Sequence, residues 1–306
     1  MYNSNNEFFM SPKNDYVFKK IFGDENNKDI LSSFLSCVIN EQINDVSILN
    51  NEITKENTAD KKSILDIRAT INDGVQIDIE IQLSRTIYMP ARSLYYWSKI
   101  YMEQLQIGQI YKKLNRTICI NILDFISTES KKYHSVYRLK ETEENFELTN
   151  LMEIHFIEIP KLKGYEKNDV LSQWINFINA DSREELKKMA IVNKNIDKAF
   201  DILNVMSQSK EERAAYLSRE MALHDEVTKL EEALQEGRQE GRQEGRQEGR
   251  QEGRQEGLEE GRQEGLEEGE KKKALEIAKN LLDILDNETI AIKTGLTLDE
   301  IENLRK

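Results

Sequence analysis

The chain has 306 residues, of which 38% are hydrophobic and 8% aromatic, enough apolar material for one or two folded cores. Its formal net charge of −13 argues against a protein that coats nucleic acid nonspecifically, so any such contact is expected to be local. No stretch approaches the roughly 18 apolar residues that span a bilayer, and the first residues lack the basic and apolar regions of a signal peptide. We therefore expect a cytoplasmic protein that does not enter a membrane.

The cysteines and histidines exclude two further classes of site. Cys37 and Cys119 lie far apart in apolar surroundings, which favours reduced, buried side chains over a disulfide framework or a zinc site. The three histidines are His134, His155 and His224. Metal chemistry based on histidine is therefore not expected.

The first part of the chain reads as helices followed by strands. Apolar residues recur at helical spacing over 12–40, and Gly23 divides this segment into two helices. Three β-branched runs follow at 46–53, 63–72 and 75–83. The last two runs are joined by Asn72-Asp73-Gly74, which predicts a tight antiparallel hairpin.

A helix and a buried strand complete the predicted core. The pattern over 89–107 is helical, with Gly108 at its end and an apolar stripe formed by Leu94, Trp97, Tyr101 and Leu105. The almost unbroken apolar run over 117–125 is typical of a strand buried on both faces. The order αβββαβ predicts an α/β fold in which a helix crosses over a mixed sheet.

The remaining segments are predicted as two more strands and then helices. The strands are 134–140 and 153–159, and the chain is helical from Asp169 to about 235, with Ser182 and Glu185 spaced as a capping box. A Glu-Gly-Arg-Gln or Glu-Gly-Leu-Glu tetrad repeats over 236–269. An amphipathic helix over 271–285 and a helical hairpin over 288–304 end the chain.

The hairpin carries the strongest chemical signal. Its second strand alternates Val75, Ile77, Ile79, Ile81 and Leu83 with Gln76, Asp78, Glu80 and Gln82. Antiparallel pairing can bring Asp66 of the preceding strand beside Glu80. Two neighbouring carboxylates repel unless a cation neutralises them, and hard oxygen ligands suit Mg²⁺ or Mn²⁺. The alternation alone leaves two readings open, a divalent cation site and the wet face of an ordinary half-exposed hairpin.

The order of these elements resembles the PD-(D/E)XK nucleases. The chain follows the arrangement of that superfamily: it has an acid on one strand, Glu-x-Gln on the next, then a crossing helix and a buried strand. The stretch NDYVFKKIFG (14–23), with DIEIQ (78–82) and RSLYYWSKIY (92–101), is similar to the recombination-promoting nuclease (Rpn) family, also described as PD-(D/E)XK family transposases. The resemblance covers roughly residues 10–165, and a glycine-rich repeat with a short helical tail is also typical of the family.

The resemblance implies roles for individual residues. Asp66 and Glu80 would be metal ligands, and Gln82 would stand where the general motif has a lysine that positions the attacking water. Leu65 replaces the proline of the motif, a change of small chemical consequence, whereas Gln82 supplies no cationic charge to the transition state. Some members of the superfamily carry glutamine at that place.

Further site residues are expected around this pair. Asp15 is a third candidate ligand, because these enzymes often use an acid from the first helix, although an aspartate near a helix start is also favoured by capping and by the helix dipole. Asp78 shares the polar parity of Glu80 and is expected to be solvated or to support the ligands from behind. The candidates for phosphate contacts beside the site are all basic, namely Lys19, Lys20, Arg85 and Arg92.

The tetrad repeat leaves its own alternatives open. Glycine at every fourth position costs a helix on the order of 1 kcal/mol each relative to alanine, and like charges stand at i,i+4. The segment is therefore either a flexible spacer or a helix that associates with copies of itself. The end of the chain matches helix-turn-helix spacing at Ala291, Gly295 and Ile301, but its acidic residues would repel DNA, which favours a protein–protein hairpin.

We predict four segments: a PD-(D/E)XK nuclease-like core (1–165), a helical extension (166–235), the tetrad repeat (236–270) and a C-terminal helical hairpin (271–306). The predicted function is a DNA endonuclease that uses Mg²⁺ or Mn²⁺, acts in recombination or mobile-element activity, and oligomerises with itself through the C-terminal region. The alternative is a catalytically weak nucleic-acid-binding or assembly protein with the same fold. A purely structural coiled coil is disfavoured, because the repeat lacks apolar a and d positions.

Overall fold

The computed structural model describes residues 8–51, 65–163 and 169–305. It divides into two compact units, Met1–Val227 and Thr228–Lys306. Within the described residues, no helix combines the length and the apolar character needed to cross a bilayer.

The first unit begins with the two predicted helices, α1 (Asp15–Phe22) and α2 (Lys28–Ile39). The side chain of Asn14 caps α1 by accepting a hydrogen bond from the amide of Tyr16 at 3.0 Å. Gly23 follows α1, and a Cβ atom at this position would lie 2.7 Å from the carbonyl oxygen of Lys19. The break predicted at Gly23 is therefore confirmed and has a steric cause.

A six-stranded mixed sheet forms the centre of this unit in the described part of the chain, with strand order β1-β2-β3-β4-β6-β5. The β2–β3 hairpin is antiparallel, as predicted, whereas β3–β4 and β4–β6 are parallel. Residues 52–53 and 63–64 of the predicted strands lie outside the described residues. The strands are β1 (Val46–Leu49), β2 (Ile67–Ile71), β3 (Val75–Gln82), β4 (Thr117–Leu123), β5 (His134–Tyr137) and β6 (Met152–Glu158).

The crossover helix α3 (Met89–Glu103) joins the parallel strands β3 and β4. It ends before the predicted residue 107, because the side chain of Gln104 bonds to the main chain of Asn115 and holds the chain against the start of β4. The predicted apolar stripe is also wrong in part. Leu94 is 49% exposed, and the face turned to the sheet is set by Met89, Ser93 and Ile100.

Helices cover both faces of the sheet. On one face, α1, α2 and three later helices pack on the isoleucines of β3 and β4 in a core that includes Phe22, Phe34 and Trp174. On the other face, α3 packs on Cys119, Leu123, Ile154 and Phe156. The predicted α/β fold with a flanked mixed sheet is therefore confirmed. The three later helices are α4 (Val170–Ile178), α5 (Arg183–Ala190) and α6 (Lys194–Gln208).

The capping box predicted at Ser182 and Glu185 is present at the start of α5. Ser182 caps α5 by accepting from the amide of Glu185 at 3.3 Å, and the carboxylate of Glu185 accepts from the amide of Asp181 at 3.0 Å. Cys119 is buried, as predicted, whereas Cys37 is only half-buried, so the prediction of a buried side chain is wrong for Cys37.

The long helix α7 (Lys210–Leu281) includes the tetrad repeat, which is therefore helical. A Cβ atom added at any of the repeat glycines would meet nothing within 4 Å. In the second unit, α8 (Asn287–Thr294) and α9 (Leu298–Arg305) form the predicted hairpin. Ala278, Ile290, Leu296 and Ile301 are its buried core, and Gly295 ends α8 with a φ of 73°.

Candidate functional site

The structure brings Asp66 and Glu80 together at the base of the hairpin. Asp66 lies one residue before β2, and its amide donates to Oε1 of Glu80 at 3.1 Å. Its own Oδ2 atom accepts from the amide of Ile81 at 2.9 Å. The two carboxylates are thus fixed by main-chain contacts between adjacent strands, at the place where the sequence pattern predicts them.

The polar face of β3 is buried and not exposed to solvent. Asp78 is 1% exposed and Glu80 is 3% exposed, since α3 covers this face of the sheet. The expectation that Asp78 is solvated is therefore wrong. Apart from the adjacent thiol of Cys119, neither carboxylate oxygen of Asp78 has a hydrogen-bond partner among the described residues. Asp78 thus lies behind Glu80 as a buried carboxyl group.

Burial and mutual repulsion raise the pKa values of Asp78 and Glu80. Burial raises the pKa of Asp78 to about 7, and its proximity to Asp66 acts in the same direction. Burial, followed by the nearby Asp78 and Asp66, raises the pKa of Glu80 well above its usual range, against the opposing effect of Arg92. A positive charge placed between Asp66 and Glu80 would relieve this repulsion.

In the part of the chain that the structure describes, two cations contact Asp66 and Glu80. The ammonium of Lys19, on α1, lies 2.8 Å from Oδ1 of Asp66. Arg92, on α3, donates from Nη2 to Oε2 of Glu80 at 3.2 Å and from Nη1 to Oε1 of Gln82 at 3.3 Å. The amide of Gln82 also donates to the carbonyl oxygen of Ser84 at 3.3 Å. The side chain of Gln82 therefore holds an arginine.

A cavity of about 520 Å³ opens on this cluster. Asp15 borders it, but both oxygens of Asp15 accept hydrogen bonds from Nε of Arg219, on α7, at 2.8 and 2.7 Å. Asn14, and not Asp15, is the capping residue of α1. Among the residues that line the cavity are Asp15, Lys19, Asp66, Gln82, Arg92 and Arg219.

Two of the four basic residues predicted to contact phosphate line the cavity, namely Lys19 and Arg92. Lys20 pairs with Glu212 at 3.1 Å and lies over the ring of Tyr16. Arg85 is exposed in the segment between β3 and α3. Arg219 was missed by the sequence reasoning, because it is 204 residues from its partner Asp15 and no local pattern connects them.

The residues present suit a hard divalent cation. Asp66 and Glu80 supply carboxylate oxygens, which Mg²⁺ and Mn²⁺ prefer. Across the described ranges, no group of three or more histidine, cysteine, aspartate or glutamate side chains is arranged to hold a metal ion. The candidate site therefore depends on two carboxylates, and Asp15 as a third ligand stays a prediction. His134 and His155 lie elsewhere, in a pair with a ring nitrogen separation of 2.8 Å.

Comparisons with known proteins identify the family of this chain. A search of curated proteins found no match, and neither did a search of solved structures. A family model described as PD-(D/E)XK nuclease family transposase matches residues 12–233, which is more than two thirds of the chain. The match includes α1, the hairpin with Asp66 and Glu80, α3 and the start of α7. The chain belongs to the PD-(D/E)XK nuclease family transposases.

Proposed function

We propose that this protein is a metal-dependent DNA endonuclease that hydrolyses phosphodiester bonds and acts in recombination or in the movement of mobile elements. The observation that carries the proposal is the contact between Asp66 and Glu80 beside a cavity, in a chain of a nuclease family. Action in the cytoplasm stays a prediction from the sequence.

The proposed roles follow from the chemistry of each side chain. Asp66 and Glu80 would hold Mg²⁺ or Mn²⁺ through their carboxylates, and Asp15 would add a third acid on release from Arg219. Such an ion would supply an activated water and a positive charge for the phosphate. The neutral amide of Gln82 orients the attacking water by hydrogen bonding. Exposed Arg85 holds the DNA backbone, and Lys20 and Arg92 join it where phosphate takes the place of their carboxylate partners, Glu212 and Glu80.

A plasmid nicking assay with and without Mg²⁺ or Mn²⁺ tests this function. We expect cleavage that depends on the metal and that falls by on the order of 100-fold or more in Asp66→Ala and in Glu80→Ala, because each removes a ligand and a charge. The matched control is Glu103→Gln, which changes another half-buried carboxylate of the same sheet region, paired with Arg68 at 2.8 Å. Cleavage that is absent in every metal, or that survives both substitutions, would show the assignment to be wrong.

A second candidate function is favoured by Gln82 itself. A neutral amide in the place of a lysine, bonded to Arg92, suits a protein that binds nucleic acid or assembles on it with weak catalysis. This alternative predicts that the chain binds labelled DNA in a gel-shift assay but does not nick the plasmid. DNA binding with no metal-dependent cleavage would therefore favour it over the endonuclease.

We also propose that the protein oligomerises with itself through its C-terminal region. The support is the long exposed helix of the tetrad repeat, whose like-charged i,i+4 neighbours would gain opposite charges from a partner chain. Light scattering should show a lower assembly state for a chain that ends at residue 235 than for the full chain. Equal assembly states would remove the repeat and hairpin as the cause.

A further inference from the structure

Among the described residues, three cations border the cavity, and they differ in the number of contacts that each makes with other side chains. Nε and Nη2 of Arg219 both lie within 2.8 Å of the carboxylate of Asp15. Arg92 is divided between Glu80 and Gln82 and also lies over the ring of Tyr96, 5.2 Å from its centre. Both guanidinium groups are therefore committed to side chains of the chain.

Lys19 is different. Within the described ranges its ammonium has one contact, with Oδ1 of Asp66 at 2.8 Å, and its side chain is 34% exposed. An ammonium group carries three hydrogen-bond donors, so two of them are free for another acceptor. The cavity beside Lys19 is where such an acceptor would bind.

The position of Lys19 is fixed by the packing of α1. Val17, Phe18, Ile21 and Phe22 are buried in the core and hold the opposite side of the helix. Lys19 follows Asp15 by one helical turn, so both side chains project toward the cavity. The neighbouring Lys20 projects elsewhere, toward Glu212.

Hydrolysis of a phosphodiester builds negative charge on the phosphate oxygens in the transition state, and a fixed positive charge stabilises it. Gln82 is neutral and does not provide this charge. We propose that Lys19, on α1, contacts the scissile phosphate and supplies the positive charge that Gln82 does not. This inference rests on the proposed endonuclease function.

The step needs no further reactant. A water oxygen forms the new bond to phosphorus as the bond to the leaving oxygen breaks; the attacking water loses a proton to solvent, and the leaving oxygen keeps the electron pair of the broken bond and takes a proton from solvent. The ammonium of Lys19 is not consumed. Before substrate binds, Asp66 holds the ammonium at the cavity. Because Asp66 is also a proposed metal ligand, Lys19 competes with the metal for this carboxylate in the absence of DNA.

The test uses the full chain with Lys19→Gln, Lys19→Arg and the double variant Lys19→Gln with Gln82→Lys. We expect single-turnover nicking in Mn²⁺ to slow by about 100-fold or more in Lys19→Gln and to be partly retained in Lys19→Arg. The double variant should recover at least about tenfold over Lys19→Gln, because a lysine at 82 returns the charge from the neighbouring strand. The control is Lys198→Gln, another lysine paired with an aspartate, Asp29, at 2.6 Å.

A second readout does not depend on cleavage. Calorimetric titration with Mn²⁺ alone should show tighter binding, by several-fold, in Lys19→Gln than in the unchanged chain, since the ammonium no longer competes for Asp66. Lys198→Gln should bind Mn²⁺ as the unchanged chain does.

The outcomes separate the two proposals. A Lys19→Gln variant that nicks at the original rate overturns the inference while leaving the endonuclease intact. Loss of both nicking and Mn²⁺ affinity in that variant, or no recovery with Gln82→Lys, would mean that Lys19 only supports Asp66, which also overturns it. An unchanged chain without any metal-dependent nicking removes the endonuclease function and this inference with it.

Discussion

The sequence has two especially regular polar patterns, the alternation in β3 and the tetrad repeat in α7. The structure buries the polar side chains of the first pattern and exposes those of the second. Asp78 and Glu80 of β3 are almost completely buried, because α3 covers their face of the sheet. The glutamates and arginines of the repeat are exposed, and its glycines have open space around them. A periodic pattern therefore shows which side chains share a face, but not what covers that face.

The difference has an electrostatic consequence. A buried carboxylate is costly unless it is paired, and Asp66 and Glu80 are accordingly in contact with Lys19 and Arg92. Exposed ions in the repeat are already stabilised by water, so pairs there contribute little. The charged side chains of β3 and the adjacent Asp66 form a site, whereas the charged side chains of the tetrad repeat lie in solvent and keep its helix hydrated.

The largest effect should come from the core beneath the sheet. Trp174 is fully buried against Phe22, Phe34 and Phe177. Trp174→Ala should lower the free energy of unfolding by about 3–5 kcal/mol in a urea titration, because it leaves a large cavity. Leu258→Ala, in the repeat, removes a side chain that is 66% exposed and should change stability by about 0.5 kcal/mol or less. Similar losses in both variants would contradict the contrast drawn between the two regions.

A smaller effect, of opposite sign, is expected in the repeat. Replacing Gly245 and Gly249 with alanine should stabilise the local helix by about 1 kcal/mol per site, because the added methyl groups meet no neighbour. Amide hydrogen exchange over 236–269 would then slow by about fivefold per site. Gln247→Ala is the control, with little expected change in helix propensity. Faster exchange in the glycine variants would instead indicate that a partner helix packs closely on these glycines.

A pH-dependent effect concerns the pair formed by half-buried His134 and buried His155. Burial, followed by the nearby His155, lowers the pKa of His134 to about 4. The unfolded chain therefore binds a proton at His134 below about pH 6.5 that the folded chain does not bind until about pH 4. The stability from neutral His134 is present above pH 6.5 and is lost as the pH falls toward 4.

His134→Gln removes this contribution. Between pH 7 and pH 4.5, its melting temperature should fall by on the order of 5 °C less than that of the unchanged chain. His224→Gln, at an exposed position, should behave like the unchanged chain. An identical fall in His134→Gln would mean that His134 titrates normally in the folded state.

The sequence by itself determined the hairpin, the buried strand β4, the helix break at Gly23 and the pairing of Asp66 with Glu80. These features depend on local turn chemistry and on the two-residue period of a strand, which neighbouring residues fix. The motifs were also sufficient to indicate the family that the match over residues 12–233 shows.

Only the tertiary structure decided what surrounds that pair. The burial of Asp78 and Glu80 depends on which face α3 covers, and the periodicity of α3 alone predicted a partly wrong stripe that includes the exposed Leu94. The contacts of Lys19 with Asp66 and of Arg219 with Asp15 join segments that are distant in sequence. Such contacts arise from the packing of whole helices against the sheet, so no local pattern encodes them.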